Sequence, residues 1–180
     1  MKRRVFIRSI ATSLVGFLAP VTRSYAKTYV TPEQAKKLIW GALVMVPKAI
    51  QLSDDQQSTI QSSSGVWVRS KNIKALVSAE KHWLIYDTVI GKHENIDLAV
   101  GITNQGKVSG VEIMVYRESY GYQIMNPRWL AQFFNKTHAD NLKIDHNVVN
   151  ISGATLSCVH VTDGVNRLTQ TWQQVLRWVQ

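Results

Sequence analysis

Near the N-terminal end of the chain, apolar residues recur at helical spacing between polar ones. Thr31 precedes Pro32, a combination typical of the start of a helix. The apolar residues that follow in steps of three and four are Ala35, Leu38, Ile39, Ala42, Leu43 and Val46. The pattern predicts a helix that Pro47 interrupts, followed by a short exposed helix over residues 52–61.

After residue 65 the hydrophobic period changes to two. The predicted extended runs are Val66–Val68, Ala75–Ser78, Trp83–Ile90, Ile96–Thr103 and Val108–Tyr116. In the last run we expect one face to point to the core, formed by Val111, Ile113 and Val115 in alternation with Gly110, Glu112 and Met114. With turns predicted at residues 91–95 and 104–107, these runs indicate an antiparallel meander of four or five strands.

A second helical pattern runs from Thr155 to the C-terminus. Its apolar residues are Cys158, Val161, Val165, Leu168, Trp172, Val175 and Val179. Because polar residues such as Arg167, Gln170 and Gln173 lie between them, we expect one buried face. The chain is therefore predicted to have an α+β fold, an antiparallel sheet covered on one face by helices that include this long C-terminal one. Residues 66–180 would form the domain and residues 27–65 a helical extension.

Residues 1–26 have the pattern of an export signal. A basic start, Lys2 to Arg4, precedes a moderately apolar stretch, and small residues occupy positions 24 and 26. The paired arginines followed by Val5, Phe6 and Ile7 resemble a twin-arginine signal, and a general secretory signal is the alternative. Either signal predicts a location in the periplasm or on the outer face of the cytoplasmic membrane.

The export signal also explains most of the excess positive charge. It holds five of the 21 basic residues and none of the 12 acids, so removing it leaves 16 bases against 12 acids and lowers the formal net charge from +9 to +4. This mild, scattered charge argues against nucleic acid as a partner. The single cysteine, Cys158, excludes an intramolecular disulfide, and the spacing of the five histidines predicts no metal site.

The extended run ending at Ile151 meets the last helix at the stretch Ser152-Gly153-Ala154-Thr155-Leu156-Ser157. The first N–H groups of a helix have no partner within it and favour a phosphate, so a phosphorylated group on Thr155 would lie in a favourable field. Gly153 and Ala154 present little side chain, which allows a bulky planar group to approach. The alternative is structural, with Ser152 or Thr155 serving only as the N-cap of the helix.

This stretch resembles the flavinylation motif of the FMN-binding domain family, which includes the C subunit of the sodium-translocating NADH:quinone oxidoreductase and the G subunit of the Rnf complex. In that family a flavin transferase uses FAD to attach FMN by a phosphoester to the motif threonine, here Thr155. A second segment, Glu118-Ser119-Tyr120-Gly121 followed by Trp129, Phe133 and Lys136, resembles the family's Glu-Thr-x-Gly stretch. The family pattern has Asp three residues before the motif serine, where this chain has Val149.

The resemblance implies covalent FMN on Thr155 and a set of neighbouring residues that contact it. We expect these to be Ser152, Gly153, Ala154, Leu156 and Ser157 of the motif, together with Arg117, Glu118 and Ser119 of the loop. Arg117 would offset phosphate charge, and Glu118 and Ser119 would hydrogen-bond the ring or ribityl chain. The aromatic residues expected to stack on the isoalloxazine are Tyr116, Tyr120 or Tyr122.

The implied function is an exported electron carrier, with a flavin transferase and a membrane oxidoreductase or cytochrome as partners. A flavin-free module of the same fold that docks on a membrane complex is the main alternative, because Val149 departs from the family pattern. A stand-alone flavin enzyme ranks last, since the sequence lacks a nicotinamide-binding fingerprint.

Overall fold

The computed structural model describes residues 27–179, in which strands and helices first alternate and four consecutive strands then precede the last helices. The strands are β1 (Lys27–Thr28), β2 (Met45–Gln51), β3 (Asn72–Ser78), β4 (Trp83–Ile90), β5 (Asn95–Ile102) and β6 (Val108–Tyr116). The helices are α1 (Pro32–Trp40), α2 (Asp54–Ser64), α3 (Pro127–Leu130) and α4 (Thr155–Gln174). Short 3₁₀ turns occur at Tyr122–Met125, Ala131–Phe133, His138–Asp140 and Leu176–Trp178. The export signal expected over residues 1–26 lies outside the described residues.

All strand pairs in the sheet are antiparallel, in the order β1-β6-β5-β4-β3-β2. The α+β fold, the meander and the long helix that begins at Thr155 are therefore confirmed. The sheet has six strands rather than four or five, because β1 and β2 come from the segment before residue 66.

The first helix is shorter than its sequence pattern predicts. It ends at Trp40 with Gly41 as its C-cap, so the helix expected through Val46 is wrong beyond that point. Met45–Gln51 instead forms β2 and pairs along its whole length with β3. Pro47 is tolerated because β2 lies at the edge of the sheet, where a missing N–H breaks no ladder on the outer side. Residues 27–65, expected to be a helical extension, thus supply two strands to the sheet.

The extended run predicted at Val66–Val68 is not a strand, since β3 begins only at Asn72. Side chains of α2 satisfy the backbone here: Gln57 Nε2 donates to the Val68 carbonyl at 2.8 Å, and Gln61 Oε1 accepts from the Val68 N–H at 3.0 Å. The apolar alternation arises because Val68 is buried under α2 while Trp67 is exposed.

Helices cover both faces of the sheet, whereas the sequence predicted one. The larger core lies between α4 and the face that carries Ile85, Val100 and Ile113. On the opposite face, α1 packs Ala35 and its neighbours against Leu84, Ala99 and Met114.

Helix α4 is buried on nearly all sides, not on one face. The predicted apolar stripe from Cys158 to Val175 is buried, but Arg167 and Gln170 are buried as well. Arg167 forms an ion pair with Asp87 of β4, and Gln170 Nε2 donates to the His138 carbonyl at 3.0 Å. The side of the helix expected to face solvent is covered by α2 and by the segment around residues 138–142.

A β-bulge in β6 changes which side chains face the larger core. Leu98 pairs with Ile113 and Asp97 pairs with Val115, so Met114 is the extra residue. Beyond it the alternation is shifted by one. Tyr116 therefore joins the larger core and Val115 packs on the opposite side, so the expectation that Val115 shares a face with Ile113 is wrong.

Gly101 of β5 lies directly against α1, where a Cβ would fall well inside contact distance of the Ile39 side chain. We expect Gly101→Ala to lower the free energy of unfolding by about 1–3 kcal/mol, because the added methyl overpacks this interface. Its cross-strand partner Gly110 is the matched control, since a Cβ there would lie 3.3 Å from Ile39 and needs only a small shift. Urea denaturation measures both variants, and a Gly101→Ala protein as stable as wild type would contradict the packing described.

Candidate cofactor site

A cavity of about 650 Å³ lies where β6 ends and α4 begins. Three segments line it: residues 92–94 of the β4–β5 turn, residues 117–120 after β6, and residues 153–157 at the start of α4. Eight of the nine residues predicted to contact the cofactor therefore meet in one place, and Ser152 is exposed just beyond the lining. The volume falls within the range of about 300–1,000 Å³ typical of small-molecule sites.

The start of α4 carries no side-chain cap. Its N-cap is Ala154, so the alternative that Ser152 or Thr155 serves as the N-cap is wrong. The first backbone bond runs from the Cys158 N–H to the Ala154 carbonyl at 2.9 Å. Within residues 27–179 the N–H groups of the three residues before Cys158 find no acceptor, and such groups at a helix start favour an anion.

The turn before α4 leaves open space in front of these N–H groups. Gly153 has φ of +82°, and a Cβ built on it would meet nothing within 4 Å. Ala154 is buried instead, against Gly121 of the loop after β6, where an added Cβ would lie 3.3 Å from the alanine Cβ. The motif therefore packs through its alanine and keeps the approach over its glycine clear.

Thr155 is exposed at the first position of α4, and its hydroxyl has one partner among the described residues. Asn150 Nδ2 donates to Thr155 Oγ1 at 3.2 Å. The other end of that amide, Asn150 Oδ1, is buried and accepts no hydrogen bond from any described residue. Sequence reasoning missed Asn150, because a lone amide in an irregular segment belongs to no periodic pattern or motif.

Tyr116 ties the loop to the helix. Its hydroxyl donates to the Tyr120 carbonyl and lies 3.1 Å from Ser157 Oγ, which then donates in return. Burial raises the pKa of the Tyr116 phenol, so the group stays protonated as a donor.

The three tyrosines expected as stacking partners differ in position. Tyr116 is only 3% exposed and belongs to the core, so the prediction that it is free to stack is wrong. Tyr122 is exposed but does not line the cavity. Tyr120 lines the cavity and is 83% exposed, which makes it the tyrosine best placed for an aromatic ligand.

The two charged loop residues line the cavity but are engaged within the protein. Arg117 donates to Asp97 Oδ2 at 2.6 Å and to the Asn95 carbonyl at 3.0 Å. Glu118 Oε1 accepts the N–H groups of His93 at 2.6 Å and Glu94 at 3.0 Å. Burial acts to raise the pKa of Glu118, but these backbone N–H bonds outweigh it and hold the pKa below its usual value. The carboxylate is thus a clamp on the β4–β5 turn.

Lys92 is the cation that sequence reasoning missed. It lines the cavity, and within residues 27–179 its ammonium group forms no ion pair or hydrogen bond. The sequence places Lys92 in the predicted turn after β4. It does not show that this turn lies next to the start of α4, so the contribution of Lys92 to the cavity could not be predicted.

Val149 is fixed by its backbone rather than by its side chain. Trp129 Nε1 donates to the Val149 carbonyl at 2.7 Å, and Gln132 Oε1 accepts the Val149 N–H at 2.8 Å. The side chain itself is 69% exposed. The tryptophan that extends the family resemblance therefore holds the segment leading into the motif.

Among residues 27–179, no group of three or more His, Cys, Asp or Glu side chains is arranged to hold a metal ion. Over the same part of the chain, every helix is too short or too polar to cross a membrane.

We expect Tyr116→Phe to lower the free energy of unfolding by about 1–3 kcal/mol and to speed amide exchange in residues 117–121, because it leaves Ser157 Oγ and the Tyr120 carbonyl without their partner. Tyr122→Phe removes an exposed hydroxyl without a partner among the described residues and is the matched control. Hydrogen exchange measured by mass spectrometry compares the two variants. Unchanged protection of residues 117–121 in Tyr116→Phe would contradict the role given to the Tyr116 hydroxyl bonds.

Comparison with known protein families agrees with this geometry. A search of curated proteins gives no match. The sequence model of the family described as FMN-binding domain matches residues 91–170, which include all three segments that line the cavity. The unpartnered N–H groups, the clear approach over Gly153 and the exposed aromatic Tyr120 fit a phosphate attached to a planar ring. Residues 91–170 of this chain thus match the FMN-binding domain family, in agreement with the resemblance at Thr155.

Proposed function

We propose that this protein is an exported electron carrier that holds FMN through a phosphoester on Thr155. The observation that carries the proposal is the position of the Thr155 hydroxyl. It is exposed at the uncapped start of α4, in a cavity of about 650 Å³, beside three N–H groups that have no acceptor in the described chain. An alcohol at such a place suits a phosphate ester, because the helix start stabilises the charge that the ester brings.

The attachment balances as a transfer from FAD by a flavin transferase. One bond forms between Thr155 Oγ1 and the phosphorus of the FMN half. The pyrophosphate P–O bond of FAD breaks, AMP leaves with the bridging oxygen, and the hydroxyl proton passes to a base or to solvent. No electrons are exchanged in this step, so the flavin keeps its oxidation state.

The chain's own residues divide the remaining work. The backbone N–H groups at residues 155–157 and the Lys92 ammonium would offset the charge of the diester. Tyr120 offers a face to the isoalloxazine, and Ser119 is exposed for a hydrogen bond to the ring or ribityl chain. Arg117 and Glu118 would act indirectly, because their contacts fix the loop and the β4–β5 turn.

FMN exchanges one or two electrons, which allows a carrier to link two-electron donors to one-electron acceptors. Attachment by a covalent bond prevents loss of the flavin after export. A membrane oxidoreductase or a cytochrome is the proposed redox partner. The exposed side chains of Val149 and Leu156 lie on either side of residues 152–155, so a partner that approaches the ring would meet an apolar rim.

The alternative of a flavin-free docking module keeps one observation in its favour. Val149 replaces the Asp of the family pattern, and its exposed side chain is available to a transferase that reads this position. Absence of FMN from protein produced together with a transferase would favour this alternative.

We expect Thr155→Ala to abolish the yellow colour and in-gel fluorescence of protein coproduced with a flavin transferase. The fold should survive with a loss of stability of about 1 kcal/mol or less, because Thr155 is exposed, caps nothing and gives up only an exposed hydrogen bond from Asn150. Thr59→Ala, at an exposed position of α2, is the matched control and should remain yellow. Absorbance at the flavin bands and circular dichroism measure the two effects, and a yellow, folded Thr155→Ala protein would show that the attachment site is wrong.

A further inference from the structure

We propose that Asn150 is a positioning residue that presents the Thr155 hydroxyl for modification, an inference that rests on the proposed attachment of FMN at Thr155. Its amide is the one side chain in the described chain that hydrogen-bonds this hydroxyl, with Nδ2 as donor and Oγ1 as acceptor at 3.2 Å. Asn150 is not part of the Ser-Gly-Ala-Thr motif, so the motif alone does not supply this contact.

The backbone on both sides of Asn150 is fixed. Val149 is held at its carbonyl by Trp129 and at its N–H by Gln132. Ile151 accepts the Ala154 N–H at 2.9 Å, which closes the turn into α4. The amide of Asn150 therefore projects from a rigid segment toward the first residue of the helix, and this rigidity is what a positioning group requires.

The orientation of the amide is retained at a cost. Asn150 Oδ1 is buried without a donor among the described residues, and a buried acceptor left unpaired is unfavourable. The Asn150 amide thus donates a hydrogen bond to Thr155 Oγ1 while Asn150 Oδ1 accepts none from the described residues. An unpaired polar atom next to a reacting group is the kind of local conflict that functional sites keep.

A donor at this position is compatible with Thr155 both before and after modification. The Asn150 N–H occupies one lone pair of Oγ1, which fixes the rotamer of Thr155 and leaves the hydroxyl proton free to be removed. Once the ester has formed, Oγ1 has lost its proton but can still accept. An acceptor in place of Nδ2 would lose its partner at that stage, and a carboxylate would also repel the entering phosphate.

The experiment measures FMN attachment to the full chain by a purified flavin transferase with FAD. The amount of FMN on the peptide that carries Thr155 is followed by mass spectrometry over time at several concentrations of the chain. We expect Asn150→Ala to lower kcat about five- to tenfold with KM for the chain unchanged, because the hydroxyl is presented less often but the docking surface remains. Asn150→Asp, of the same shape, should lower kcat at least as much.

Asn72→Ala is the matched control, since Asn72 is exposed on β3 and its side chain has no partner in the described chain. Rates are expressed per folded molecule, with the folded fraction taken from circular dichroism. A kcat per folded molecule that equals the wild-type value in Asn150→Ala or in Asn150→Asp would overturn the inference, even if less of the variant protein folds. A wild-type chain that acquires no FMN at Thr155 in the same assay would instead contradict the proposed function.

Discussion

The hydroxyl of Tyr116 joins the end of the sheet, the loop after it and the start of the last helix at one point. It donates to the Tyr120 carbonyl and lies 3.1 Å from Ser157 Oγ. Gly121 is required beside it, because its φ is +86° and a Cβ there would lie 2.6 Å from the hydroxyl oxygen. The bulge at Met114 makes this contact possible, since without it the strand would turn Tyr116 to the opposite face of the sheet.

The charged residues of the loop after β6 also serve the scaffold. Arg117 is paired with Asp97 and so brings no free positive charge to the cavity, while the Glu118 carboxylate clamps the β4–β5 turn through backbone N–H groups. Stabilisation of an anion is then left to backbone N–H groups at the start of α4 and to Lys92. The proposed phosphodiester would carry a single negative charge, which these groups would offset more readily than the nearly two charges of a free phosphate.

Much of this arrangement can be predicted from the sequence, where local pattern decides the structure. The turn residues after β4 and β5, the extended run of β4 and the start of α4 all follow from short-range signals. The departures have tertiary causes. The helical pattern continues through Val46, yet Met45–Gln51 forms an edge strand beside β3, and Val115 changes face because of a bulge that alternation cannot reveal. Resemblance in sequence identified the motif, but the ion pair of Arg117 and the approach of Asn150 depend on contacts between distant segments.

The central claim is that Thr155 carries FMN in the protein as it exists in its host. Mass spectrometry of the peptide that contains Thr155, prepared from protein recovered from that host, tests it most directly. The account predicts a mass increase equal to FMN less water, located on Thr155 by fragmentation. A folded protein whose Thr155 peptide has its unmodified mass would contradict it.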